Sequence, residues 1–293
     1  MNKRKYKNYL WGYFFVAPTI IGLLILNIYP IFKTLLLSFS TSTGFEEYVF
    51  SGLNNFTRVL KDREVWIGLR NTLIFSAVSV PGGIFISLLL AWLMSKEIRG
   101  RSVYRVIYFT PMVAAPAAVT MVWAWLYNSE FGFLNYVIKS LGGATHSWLH
   151  DPKYALMSVI IIAIWGGLGQ QIIILIVAIT NVPRVYYEAA EIDGTNKWQT
   201  YFMIYLPNSK AILATLGLLK GVAVWNDYLW PLIMTNSENM KTVQLALTMF
   251  KTDGYIQWGQ MMAASVLVVM PMILLFLCAQ KYFVQGIVTS GLK

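Results

Sequence analysis

The sequence predicts an all-α membrane protein with six transmembrane helices and one cytoplasmic helix–glycine–helix projection. Three observations predict it. The chain of 293 residues is 57% hydrophobic and only 12% charged, whereas an ordinary soluble domain carries about 25% charged residues. So few charges cannot cover a globule, and lipid is the expected solvent. Six apolar runs cover about 10–31, 68–94, 106–127, 155–179, 211–233 and 260–280. A helix rising about 1.5 Å per residue needs about 20 such residues to cross a hydrocarbon core of about 30 Å. The basic residues gather at the ends of these runs, as membrane topology requires.

Backbone groups in hydrocarbon must be satisfied within their own segment, so runs of this length are helices. The connections are too short for an inserted soluble domain, and the chain reads as a single transmembrane domain over 1–293. The first run follows Met1-Asn2-Lys3-Arg4-Lys5-Tyr6-Lys7, which resembles the start of a secretory signal. A signal's apolar region is about 7–15 residues long, whereas Leu10 to Ile31 is nearly unbroken and no small-residue cleavage site closes it. An uncleaved first span is expected. Within the later spans, Pro81-Gly82-Gly83, Pro111, Pro116, Gly166-Gly167, Gly169 and Pro271 mark bends or close helix packing.

Counting Lys and Arg orients the spans. The N-terminal tail, the second-to-third and fourth-to-fifth connections and the C-terminal end hold thirteen, among them Lys96, Arg99, Arg101 and Arg105. The opposite side holds eight over a greater length: Arg58, Lys61, Arg63, Arg70, Lys139, Lys153, Lys241 and Lys251. Both termini are therefore expected in the cytoplasm, with the chain multi-pass in the plasma membrane. The net charge of +10 is read as this orientation and as contact with anionic lipid, not as nucleic-acid binding.

The single cysteine, Cys278, excludes an internal disulfide. His146 and His150 share a predicted solvated loop, and no metal centre or bound cofactor is expected of this chain. No Walker A pattern, HExxH or GxSxG occurs, so the chain is not expected to be an enzyme.

Between the fourth and fifth runs, 181–210 reads as two short helices. Asn181 and Pro183 open the first, and Val185, Ala189 and Ile192 line one apolar face at i, i+4 and i+7. Gly194 suits the left-handed residue that ends it. Thr195 or Asn196 caps a second helix through Trp198, Phe202 and Tyr205, and Pro207 suits the first turn of the fifth span. A stiff elbow beside a membrane can transmit force. Its small Ala189 and Ala190 admit a close partner, and Glu188 and Glu191 offer anionic contacts.

Polar groups inside spans are costly and suggest function. Gln170 and Gln171 lie near the middle of the fourth span, and Lys220 in the middle of the fifth. Asn226 and Asp227 fall toward its outer end beside Trp225, Tyr228 and Trp230. Amides or carboxylates beside aromatic rings suit sugars, which offer both hydroxyls and apolar faces. Helix–helix hydrogen bonds and an interfacial aromatic belt are the competing readings of the same residues.

The segment Glu188-Ala189-Ala190, Gly194 after three intervening residues, and Ile204-Tyr205-Leu206-Pro207 after nine more resembles the EAA signature of the permease subunits of bacterial ATP-driven (ABC) importers. Phe15-Val16-Ala17-Pro18, Gly52-Leu53-Asn54-Asn55-Phe56, Tyr108-Phe109-Thr110-Pro111, Trp165-Gly166 and Trp225-Asn226-Asp227-Tyr228-Leu229-Trp230-Pro231 extend the likeness to the carbohydrate type. The first half is similar to the permease often encoded first in such systems, the last third to its partner. The resemblance implies a coupling loop in which Glu188, Ala189, Ala190, Gly194, Ile204, Leu206 and Pro207 meet an ATPase. It implies partners: two ATPase subunits that carry the ATP and magnesium, a second permease in a heterodimer or a homodimer, and an extracytoplasmic solute-binding lipoprotein. Import of a sugar or oligosaccharide is the implied function. A non-sugar solute is the main alternative. An ion-coupled secondary transporter is disfavoured, because of thirteen Asp and Glu only Asp227 falls within a span.

Overall fold

The computed structural model describes residues 3–42, 48–95, 100–180, 182–234, 238–252 and 255–291. In chain order its helices are α1 (Lys3–Leu23), α2 (Tyr29–Ser38), α3 (Asn54–Lys61), α4 (Arg63–Ser95), α5 (Arg101–Val113), α6 (Pro116–Leu126), α7 (Phe133–Ser140) and α8 (Pro152–Thr180). They continue with α9 (Arg184–Ile192), α10 (Lys197–Thr200), α11 (Leu206–Asn208), α12 (Lys210–Trp225), α13 (Leu229–Met234), α14 (Val243–Ala246) and α15 (Trp258–Gly291). Two antiparallel hairpins accompany them. In one, β1 (Ser40–Ser42) pairs with β2 (Tyr48–Phe50), Ser40 opposite Phe50. In the other, β3 (Lys251–Thr252) pairs with β4 (Tyr255–Ile256).

The six apolar runs become four helices long and apolar enough to cross a membrane, at Trp11–Ser38, Arg63–Ser95, Pro152–Thr180 and Trp258–Gln280, and two bent pairs. The third run bends by 113° between Val113 and Pro116. Proline disfavours the helical region for the residue before it, and both Ala114 (ψ 143°) and Ala115 (ψ 128°) are extended. The fifth run ends early, at Trp225 rather than 233, and restarts as α13. The first run continues past 31 to Ser38.

Two π-helical turns, Leu24–Ile28 and Tyr201–Tyr205, share one arrangement. The N–H of Tyr29 reaches the Leu24 carbonyl and that of Leu206 reaches Tyr201; Pro30 and Pro207 follow at once. A proline cannot donate to the carbonyl four residues back and its ring presses on it. A wider turn before it accommodates the ring and keeps neighbouring amides bonded.

Contacts divide the chain into two compact units, Met1–Val65 with Leu247–Met270, and Trp66–Ala246 with Pro271–Lys293. In the first unit, Val59 and Phe250 pack with Ala263 and Ala264. Buried Asn55 donates from Nδ2 to the carbonyls of Ser38 (3.0 Å) and Ser40 (2.9 Å), fixing α3 against the end of α2 and the start of β1.

The second unit has two apolar clusters along α4 and α8. One gathers Leu88, Trp92 and Met94 with Leu168, Ile172, Leu175 and Ile179, closed by Tyr201 and Leu216. The other gathers Phe75, Val159, Ile160, Ile162, Tyr127, Val224 and Met234. The segment 239–246 is pinned to α4: Asn71 Nδ2 donates to the carbonyls of Asn239 (2.9 Å) and Lys241 (3.0 Å), and Thr72 Oγ1 accepts the Val243 N–H at 2.8 Å.

Gly169 of α8 lies against the Tyr108 carbonyl of α5, where an added Cβ would collide with backbone. Gly169→Ala is expected to destabilise the fold by about 1–3 kcal/mol, as overpacking does. Gly166→Ala, facing open space, is expected to change little. Thermal unfolding in detergent, followed by size-exclusion chromatography, measures both.

Candidate functional site

Two places concentrate the residues singled out by sequence, and both lie in the second unit. One is the elbow over 181–210. Asn181 falls outside the described residues; the first helix is α9. It ends at Gly194, whose φ of +67° is left-handed. The Thr195 N–H reaches back to the Ala190 carbonyl at 3.0 Å and that of Asp193 to Ala189 at 2.9 Å. The former is the six-to-one bond of a glycine-terminated helix. The Thr195 hydroxyl donates to the same Ala190 oxygen at 2.8 Å. Of the two expected caps, Asn196 fills the role. Its Oδ1 accepts the Gln199 N–H at 2.9 Å while Gln199 Oε1 accepts the Asn196 N–H at 2.7 Å, a reciprocal box that satisfies two amides.

The elbow is anchored from below. Tyr201 is 2% exposed and meets the Trp92 ring edge-on at 5.5 Å. Its upper face is bare: Val185 is 71% and Ile192 86% exposed, with Glu188 and Ala189 exposed between them. Ala190 departs from the expectation of a partner-facing residue. It is buried, and its carbonyl takes the turn bonds from Thr195. Pro207 also departs: it belongs to α11, and the fifth span begins beyond a 62° bend, at Lys210. Ile204 and Leu206 are half-buried and Pro207 is exposed. The side chains of Glu191, Trp198 and Tyr205 fall outside the described ones.

The second place is a cleft of about 220 Å³. Pro111, Pro116 and Val119 of the α5–α6 bend form one wall and Ala163, Trp165 and Gly166 of α8 another; Lys220 and Ala223 of α12, with Asp227 and Trp230, complete it. Lys220 Nζ donates to the Ala163 carbonyl at 3.1 Å. Its stem crosses α8 at Gly167, where a Cβ would stand 2.5 Å from Nζ. Asp227 Oδ1 accepts the Trp230 N–H at 3.3 Å, starting α13. Buried Gln171 sits beside Gly83 and Gly167; Ser87 Oγ donates to its Oε1 at 2.8 Å, and its Nε2 has no partner among the described residues.

The structure brings Lys220 and Asp227 into one cleft with Gln171 close behind. It places Gln170 on an exposed face, since neighbours on a helix diverge by about 100°. Trp225 is buried in packing. Exposed Asn226 accepts from Gln244 Nε2 at 3.1 Å and donates to the Val222 carbonyl. Tyr228, 40% exposed, does not line the cleft. Sequence reasoning missed the α5–α6 wall, for which the Pro111 and Pro116 pair was the available signal. His146 is not simply solvated: its ring packs on Trp148 (5.4 Å) and Tyr154 (4.6 Å). Among the described residues no group of three His, Cys, Asp or Glu could hold a metal ion.

Residues 83–289, which include the elbow and the cleft, match the family described as binding-protein-dependent transport system inner membrane component. The chain belongs to that family. As a binding-protein-dependent permease it is 32% identical to the lactose transport system permease protein LacF of Rhizobium radiobacter, over 71% of this chain and 72% of that one. It is 29% identical to the trehalose/maltose transport system permease protein MalF of Thermococcus litoralis, over 75% of each. Its fold is that of a chain in a bacterial ABC transporter involved in the import of the acidic polysaccharide alginate, with a TM-score of 0.82 at 20% identity, covering 95% and 96% of the two chains. The protein is thus a multi-pass membrane permease subunit.

Asn196→Ala removes one side of the reciprocal box at a cost of about 1 kcal/mol. Amide exchange at 197–200 is expected to speed up roughly fivefold, which hydrogen-exchange mass spectrometry measures on the purified permease.

Proposed function

We propose that this permease forms half of the path of an ATP-driven sugar importer and that its elbow is the part driven by ATPase subunits. The observation that carries the reading is the bare Val185–Ala189–Ile192 face on an elbow held by the Gly194 turn at its middle and by buried Tyr201 beyond it. An exposed apolar face rimmed by polar groups marks a protein contact, and Glu188 stands on its edge. The sugar class draws support from relatives named for lactose and for trehalose/maltose transport. A cleft lined by tryptophan, ammonium and carboxylate supports it independently.

In this reading both termini and the elbow are cytoplasmic, in line with the excess of basic residues on that side. Two ATPase subunits bind ATP and magnesium; this chain binds neither and catalyses nothing. A second permease completes the path, and an extracytoplasmic binding protein delivers solute. ATP-driven closure of the motor displaces the elbow, which alternates the access of the cleft.

Gly194→Val tests the coupling. A β-branched residue in the left-handed region costs about 1–3 kcal/mol and should distort the turn without touching the cleft. In proteoliposomes holding the assembled importer, solute uptake is expected to fall about tenfold or more while ATP hydrolysis persists. Unaltered uptake per ATP would remove the elbow from the coupling. Affinity purification of the tagged chain in mild detergent should recover an ATPase, a binding protein and a second permease; an ATPase without a second permease would make the permease pair a homodimer.

A further inference from the structure

The cleft holds one cation and one anion, and the rest of its lining is apolar or aromatic. Lys220 and Asp227 stand seven residues apart. Among the described residues the Lys220 ammonium uses one of its three donors, on the Ala163 carbonyl, and Asp227 uses Oδ1, on the Trp230 amide. Two N–H groups and one carboxylate oxygen remain for a ligand, beside the rings of Trp165 and Trp230. A charge within a membrane span is expensive and is held there by function or by a partner charge. Here the two charges leave the cleft with none in surplus.

That balance selects on charge. A neutral polyol gains charge-assisted hydrogen bonds from both side chains, to its hydroxyls, and lays its C–H faces on the indoles. A ligand bearing a carboxylate or phosphate must shed strong hydration, and any attraction to Lys220 is offset by repulsion from Asp227. We infer that Lys220 and Asp227 together restrict this cleft to uncharged saccharides by holding its net charge at zero. The inference rests on the sugar-importer reading and adds the charge class of the sugar and the two residues that set it.

The test uses the purified permease–ATPase assembly in nanodiscs with no binding protein, so that the cleft is the saccharide site. Saturation-transfer NMR compares maltose and lactose with their aldonic acids, maltobionate and lactobionate, which keep much of the skeleton and add a carboxylate. The wild type should bind the neutral sugars and discriminate against the acids. Asp227→Asn, leaving Lys220 in surplus, should shift the preference toward the acids by roughly tenfold or more, since unbalanced charge is worth at least one factor of ten. Lys220→Met should shift it the other way. The double variant, again without net charge, should restore the wild-type preference, which separates charge balance from damage to the fold. Neutral sugar binding with a preference that none of the variants moves overturns the charge assignment alone. Equal wild-type binding of acid and parent sugar does the same. Binding of neither sugars nor acids overturns the cleft as a saccharide site and the charge assignment with it, and leaves the importer reading, which rests on the relatives, to the uptake assay.

Discussion

Hydrocarbon offers a backbone amide no partner except the chain itself, and the architecture follows from how each interruption of a helix is satisfied. Two prolines are absorbed by widening the turn before them: Pro30 and Pro207 each follow a π-helical turn whose closing bond skips an extra residue. A third is not absorbed. The extended Ala114 and Ala115 before Pro116 turn the chain by 113°. The cleft exists because of that bend, since Pro111, Pro116 and Val119 form the wall facing Lys220 and Asp227.

Close packing does the remaining work. Lipid gives helices no hydrophobic reason to associate, so small residues that let backbones and polar groups approach carry more weight than in water. Gly169 lets α8 meet the backbone of α5, and Gly167 lets the Lys220 stem cross α8 to reach the Ala163 carbonyl. One helical stretch of α8 thus packs the bundle on one side and seats a cation on the other. Gln171 belongs to the same layer, held by Ser87 Oγ and close to Gly83.

Composition and run length made the helical membrane class legible, and the elbow was legible too, because left-handed turns and helix caps depend on local residue identity. Gly194 and Asn196 behave as their chemistry dictates. What could not be read depends on helix phase and tertiary approach. Gln170 and Gln171 are adjacent and chemically identical, yet one is exposed and the other buried against Ser87. Ala189 and Ala190 divide in the same way, one on the bare face and one inside the turn. Asn226 and Asp227 divide by partner, the first meeting Gln244 and the second starting α13 at the cleft. The apolar run over 211–233 concealed the end of its helix at Trp225, because a break capped by a single carboxylate leaves hydropathy almost unchanged.

The elbow and the cleft are linked by α12, which starts beyond the elbow's 62° bend and ends beside the cleft. From the bend at Ser209, α12 runs as a single helix to Trp225, and at about 1.5 Å per residue Lys220 stands about 15 Å from Lys210. Ser209 is buried and Leu216 joins the cluster that holds Tyr201, so α12 is seated beside the same residue that anchors the elbow. A helix bonded along its length transmits displacement better than it absorbs it. In the proposed coupling, a push on the Val185–Ala189–Ile192 face would reach Lys220, whose bond to α8 is to a backbone carbonyl and whose bed is a glycine. Such a contact can slide or break without leaving a packed side chain behind. The least costly place for motion along α12 is then the cleft, which is where the proposed alternating access would act.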